Sequence, residues 1–300
     1  MSSLAEQALP VRPQRARSIA WYRRKSVRRF IGRTIALLII IVGAAFVLFP
    51  VAWMISTSLK TTEQTAAIPV LWIPPTPKWQ NYPKALTALP FGLFFRNTFI
   101  ITVLSVIGTV FSGSVVGYGF ARFRAPGRDT LFLLVLATLI LPAQVTLIPQ
   151  FILFDKLHWV NTFAPLIVPN FFGTAFNVFL MRQFFLTIPR EMDEAATIDG
   201  ANRFEVFYRV VLPLALPAVG IIAIFQFIYS WNDFFDQLIY LNSNNVWTVA
   251  LGLAGFTASY GGTAWNLLMA ASLVAVLPCI ILFFFAQRYF VQGIVISGVK

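Results

Sequence analysis

The sequence predicts an all-α integral membrane protein of six transmembrane helices. Composition is the first observation behind this: apolar residues make up 58% of the chain and charged residues 11%, against roughly 45–50% and about 25% in soluble domains. The second is that the apolar excess is gathered into long runs. Six of these approach the roughly 20 helical residues that cross about 30 Å of hydrocarbon. The third is the placement of basic residues, which alternates between rich and poor from one inter-run segment to the next.

In order, the runs are residues 34–54, 97–121, 130–154, 164–181, 214–229 and 265–285. The first exceeds the roughly 7–15 apolar residues of a signal peptide's core and follows a long basic leader, so it reads as a retained anchor. In the second, Gly113 and Gly117 stand four apart, with Gly119 following, a spacing that lets a neighbouring helix approach closely. The third contains Pro142 and Pro149. Proline frees backbone groups, which are tolerated at membrane depth only against protein or a watery cavity. This helix is therefore expected to be broken and to pack internally. The fourth and fifth runs are the shortest.

Nine basic residues from Arg12 to Arg33 precede the first run. On alternate sides of the runs, eighteen Lys and Arg share the side of the N-terminus and five lie on the other. That bias puts both termini in the cytoplasm and requires an even number of spans. A net charge of +12 would also suit nucleic acid, but no aromatic-interleaved basic stripe follows the leader. The partner read from the charge is an anionic lipid bilayer, with no nucleic acid.

Cys279 and His158 are each alone in the chain. An internal disulfide, a thiolate or His-based metal site and a Ser-His triad are thereby excluded, so neither a metal nor a catalytic residue is expected. The chain also lacks the G-x-x-x-x-G-K-[ST] phosphate loop. Of the loops, residues 57–96 are rich in Pro, with Trp72 and Trp79, and read as an irregular interfacial cap. Residues 232–264 hold no Lys or Arg and end near Gly261-Gly262, where flexibility is expected.

Residues 187–213 differ from the other loops, being both charged and helically patterned. Pro189 opens a helix whose first turn holds Glu191, Asp193 and Glu194, acids placed at the positive end of the dipole. Ala195 and Ala196 keep that helix slim, and Gly200 allows a sharp turn. A second helix carries Phe204, Val206, Phe207, Val210 and Val211, and Pro213 and Pro217 mark entry into the membrane. The alternative is an amphipathic helix lying on the bilayer, which would favour Lys and Arg on its polar face. Here five acids face three basic residues, which suits a basic protein partner better.

Glu194-Ala195-Ala196, then Gly200, then Val210 and Leu212-Pro213, resembles the EAA loop of ABC importer permeases. Asp199-Gly200-Ala201 is similar to its carbohydrate branch, especially the smaller of the two maltose-type permeases. Leu141-Pro142 through Pro149-Gln150, Asn161-Thr162, Phe179 to Phe185, Trp231-Asn232-Asp233 and the closing Tyr289 to Gly293 share that likeness, which covers about residues 34–300. Val210 stands where isoleucine is more frequent, and Asp236-Gln237 departs from a common proline.

The resemblance implies a type-1 ABC permease fold with a cytoplasmic tail 1–33, a permease body 34–290 (core about 93–288, coupling loop 187–213) and a C-terminal tail 291–300. It implies ATPase coupling through Glu194, Ala195, Ala196, Asp199, Gly200, Leu212 and Pro213. Glu194 is the expected charged anchor, with Asp193 of less consequence. Gln292, Gly293, Gly298 and Lys300 are the expected ATPase-interface tail. The implied partners are a second homologous permease, two ABC ATPase subunits that bind ATP and Mg, and an extracytoplasmic solute-binding protein that delivers a sugar across a bacterial plasma (inner) membrane.

Within the membrane, Asn97, Gln144, Asn170, Asn177, Gln226 and Asn232 are the polar residues expected to face an interior or a pathway, each also readable, more simply, as interhelical bonding. Asp233, with no second buried acid expected beside it, reads as an interfacial contact. An ion-coupled transporter would need ionisable residues deep in the spans, and none is placed there; a permease for a non-carbohydrate solute is the other alternative.

Overall fold

The computed structural model describes residues 25–259 and 264–297, and every regular element among them is helical. The chain divides into two units, residues 1–53 and 54–300. In the first, the described part belongs to α1 (Lys25–Ser58), whose large apolar side chains from Leu37 to Phe49 are exposed.

The second unit continues through α2 (Thr62–Thr65), α3 (Asn81–Ala88), α4 (Phe91–Arg122) and the pair α5 (Arg128–Ala137) and α6 (Ala143–Lys156). Next come α7 (Ala164–Ile167), a 3-10 run Val168–Phe172 and α8 (Ala175–Thr187). After α9 (Glu191–Ile198) and α10 (Arg203–Glu205), a π-helical stretch Val206–Val211 leads to α11 (Leu212–Leu214) and α12 (Leu216–Asn232). The last elements are α13 (Phe235–Tyr240), α14 (Val249–Ser259) and α15 (Trp265–Ser297).

Among the described residues, four segments are long and apolar enough to cross a membrane: Arg29–Ser58, Phe91–Arg122, Ala164–Thr187 and Trp265–Gln287. Two bent pairs raise the number to as many as six. Arg128–Ile140 and Ala143–Lys156 meet at 100°, and Arg203–Leu214 and Leu216–Asn232 meet at 75°. The first break falls at Leu141-Pro142, as the prolines predict.

Within the second unit α4 packs against α8 and α12. A Cβ at Gly117 would lie 2.8 Å from the Met181 Cβ and 3.1 Å from the Arg182 backbone nitrogen. The small-residue stripe is therefore a helix contact, since only glycine admits this approach. Buried hydroxyls on the same helix serve the irregular turns opposite: Ser105 donates to the Leu166 carbonyl at 3.0 Å and Ser112 to the Asn170 carbonyl at 2.8 Å. Carbonyls freed at membrane depth thus find partners within the protein. One apolar core joins α4, α8, the π-helical stretch and α12 around Met181, Phe185, Val211 and Ile222. Another joins α3, α4, α14 and α15 around Phe91, Phe94, Phe256 and Ala271.

Three expectations need correcting. The third run packs internally only in part: Phe132 and Phe154 are buried, but Leu133, Leu134, Ile140 and Ile148 are exposed, Ile140 at 81%. The segment 57–96 is more ordered than an irregular cap. It folds α3, with Ala85 fully buried, and the Asn81 amide donates to the carbonyls of Ser58 and Lys60. The segment 232–264 likewise carries α13 and α14, while Gly261 and Gly262 lie outside the described residues. These helices escape a search for spans because they are too short to cross a bilayer, and they form because neighbouring elements bury one side.

Candidate functional site

Residues 187–213 form the bent pair of helices read from the sequence. Glu191, Asp193 and Glu194 occupy the first turn of α9. Gly200 has φ +91°, a left-handed conformation, and the turn around it closes in the Schellman pattern: Gly200 N donates to Thr197 O at 3.1 Å and Ala201 N to Ala196 O at 2.9 Å. The second helix then starts in a capping box. The Asn202 side chain accepts from the backbone of Phe204 and Glu205, and the Glu205 carboxylate accepts from Asn202 N at 2.9 Å. Asn202-x-x-Glu205 carries that pattern in the sequence, although the sequence reading did not use it.

One face of this elbow is anchored. Val206, Val211 and Ala215 are buried in the core with Phe185 and Tyr118, and the Phe207 ring lies 4.8 Å from that of Tyr118. The other face is open: Glu191, Glu194, Ala195, Asp199 and Gly200 are exposed, Ile198 at 86% and Phe204 at 81%. Ala196 and Leu212 are half-buried, and Pro213 is exposed.

Asp193 behaves differently from Glu194. Its Oδ2 lies 2.9 Å from Nε of Arg122, at the end of α4, and the Arg122 Nη2 donates to the Ile188 carbonyl at 2.9 Å. The Arg122 side chain is 5% exposed and that of Asp193 is 21% exposed. Nε does not align for a hydrogen bond and Asp193 Oδ1 is buried without one, so the contact is chiefly ionic. Burial pushes the Asp193 carboxyl above its ordinary range, and the Arg122 guanidinium opposes that shift. No sequence signal joins two residues this far apart in the chain.

The polar intramembrane residues separate into three groups. Asn170, Asn177 and Gln226 line one cavity of about 580 Å³ between α4, α6, α7, α8, α12 and α13. Asn97 is a packing residue, fully buried and donating to the carbonyls of Asn245 and Trp247 at 3.0 and 2.8 Å. Gln144 and Asn232 are exposed, and the Asn232 amide is spent on the Ile228 carbonyl at 2.8 Å. Asp233 is not the lone acid expected, because the turn into α13 brings Asp236 to the same cavity, its backbone N donating to Asp233 Oδ1 at 3.2 Å. Gln292 and Gly293 lie on the last turns of α15, while Gly298 and Lys300 fall outside the described residues.

Residues 110–296, which include the elbow and most of the cavity, match the family described as the inner membrane component of binding-protein-dependent transport systems. The chain belongs to this family. Among its relatives is the arabinooligosaccharides transport system permease protein AraQ of Halalkalibacterium halodurans, 34% identical over 86% of this chain and 95% of that protein. Another is the sn-glycerol-3-phosphate transport system permease protein UgpE of Pectobacterium atrosepticum, 32% identical over 86% and 94% respectively. A crystal structure of a bacterial ABC transporter involved in import of the acidic polysaccharide alginate contains a chain that superposes with a TM-score of 0.75 at 25% identity. The match covers 87% of this permease and 97% of that chain. The type-1 ABC permease fold implied by the EAA-like loop is thus the fold of this permease, and it is a transport subunit, not an enzyme.

Proposed function

We propose that this permease is one of two homologous membrane subunits of an ATP-driven importer for a sugar or sugar derivative. The observation that carries this reading is the elbow. Its base is fixed in the core and by Arg122, while its far face presents Glu194, Asp199, Ile198 and Phe204 to a partner. A rigid element with one buried and one open face transmits a push, whereas a flexible loop would absorb it. Glu194 is the charged anchor, Ala195 and Ala196 the close-approach surface, and Gly200 the bend. Asp199, Leu212 and Pro213 complete the coupling loop of residues 187–213.

Two ATPase subunits hold ATP and Mg, which this chain does not bind, and Gln292, Gly293, Gly298 and Lys300 reach their interface. The basic bias supports cytoplasmic termini, with residues 1–33 and 291–300 as tails. Each bent pair counts as one span, giving six in the bacterial inner membrane. The broken third span supports the second permease: backbone freed at Leu141-Pro142 and the exposed face of α5 and α6 need protein cover at membrane depth. The name of the arabinooligosaccharide relative supports a sugar, delivered by an extracytoplasmic solute-binding protein.

The test is affinity purification of the tagged chain from its native membrane. The expected result is recovery with a homologous permease and an ATPase whose hydrolysis rises with loaded binding protein. Recovery without a nucleotide-hydrolysing subunit, with uptake driven by an ion gradient, would overturn the reading.

A further inference from the structure

The cavity between α4, α6, α8, α12 and α13 carries more chemistry than the elbow mechanism uses. Asn177 and Gln226 on its wall are each 8% exposed. Each amide nitrogen is engaged, Asn177 Nδ2 with Thr174 Oγ1 at 2.6 Å and Gln226 Nε2 with Ser230 Oγ at 3.0 Å. Each amide is thereby held in place on the cavity wall, with an oxygen that can accept a hydrogen bond.

The rest of the wall points the same way. Asp233 and Asp236 add carboxylates, and Tyr229 spends its hydroxyl on Asp236 Oδ2 at 3.3 Å. Among the described residues that line the cavity, none is Lys, Arg or His. Phe176, Phe225, Phe154 and Tyr240 supply aromatic surface, with the first two rings 6.4 Å apart and the last two 5.4 Å apart. Ring faces carry negative potential and accept C–H edges or cations. The volume lies within the range of small-molecule sites.

We infer that this cavity is a saccharide site in this chain, selective for uncharged or amino-bearing sugars and closed to acidic ones. The inference rests on the importer reading and names its substrate class. Acceptors at the amides and carboxylates match hydroxyl and ammonium donors, and the rings match the apolar face of a pyranose. A uronate or phosphate would bring a like charge against two carboxylates with no cation to offset it. A bare metal cation would use the carboxylates and leave the aromatic wall without a role, which favours the organic ligand.

The test uses the whole transporter in nanodiscs without its binding protein, so that selectivity of delivery plays no part. Thr174→Cys, with Gln150→Cys as a second reporter, is labelled by a maleimide in a Cys279→Ser background. Maltotriose and the glucosamine trimer are expected to slow labelling at least threefold at millimolar concentration. Trimannuronate should need at least tenfold more. In Asp233→Asn/Asp236→Asn the trimannuronate should approach maltotriose, and the glucosamine trimer should protect less than in the parent complex. Equal protection by trimannuronate in the parent complex would overturn the site. So would protection by sodium ions alone, or no protection by any trimer in a complex that imports sugar with its binding protein. In those three results the importer reading stands. An assembled complex that imports no sugar even with its binding protein would instead sink that reading, and this inference with it.

Discussion

Glu194 stands exposed on α9 and forms no ion pair among the described residues, while its neighbour Asp193 turns inward to Arg122. Their roles differ accordingly. Glu194 is open to contact from outside the chain, as the proposed docking to an ATPase requires, and Asp193 ties the elbow to α4. Breaking a buried ion pair from one side typically costs about 3–5 kcal/mol, and an exposed pair is worth about 1 kcal/mol or less. Glu194→Lys is therefore expected to leave the permease folded but to release the ATPase or uncouple hydrolysis from uptake. A charge reversal in the ATPase groove should restore part of the activity. Full sugar-stimulated hydrolysis and uptake in Glu194→Lys would remove Glu194 from the docking surface.

The Arg122–Asp193 pair calls for a different test, because its partners lie in one chain. Asp193→Ala leaves the Arg122 side chain, 5% exposed, without that counter-charge, whereas Arg122→Met/Asp193→Leu removes both charges together. The double variant is expected to melt higher in detergent than Asp193→Ala and to keep more coupled uptake. If the two melt alike, the pair does not brace the elbow. The sequence reading gave Asp193 less consequence than Glu194. That ranking concerned docking, and it could not include a bracing role, since the partner is fixed only by how α4 and α9 pack.

At the scale of elements, the turn at Gly200 was legible because a glycine between two patterned helices is a local signal. A Cβ there would meet nothing within 4 Å, so space does not limit substitution; the backbone angle of +91° does. Left-handed backbone costs an ordinary residue roughly 1–2 kcal/mol, less for Asn and more for a β-branched side chain. Uptake is expected to fall in the order Gly, Asn, Ala, Val at position 200, with membrane insertion unchanged. A Gly200→Val protein that transports normally would show that the turn can relax.

The proline break and the Gly113–Gly117 contact were also local signals, and both are in place. What was not legible depends on neighbours. Helix α3 is held by Asn81 reaching the carbonyls of Ser58 and Lys60, and α13 by Gln237 bonding to Thr248 and to the Ser230 carbonyl. The cavity is the extreme case, since Asn177, Gln226 and Asp236 come from three elements that only the fold brings together.

At the scale of the whole molecule, the packing can be set against the charge count. Arg124, Arg128 and Arg190 surround one hollow, so the α4–α5 loop and the start of the elbow share a side. The amides of Asn81 and Asn266 both donate to the Lys60 carbonyl, so the segment after α1 and the start of α15 share a side as well. Helix α4 runs from the second group to the first, which places the two groups at opposite ends of a spanning helix. The eighteen-to-five bias predicts that the arginine-rich end faces the cytoplasm. Thr76 and Arg124 are both exposed, one at each end. In a Cys279→Ser background, a cysteine at position 76 is expected to react with an impermeant maleimide added outside spheroplasts. One at position 124 should react only after the membrane is opened. Labelling of both from outside would contradict the topology on which the elbow's access to a cytoplasmic ATPase depends. Reversed labelling would turn the elbow outward, where no ATP is available to drive it.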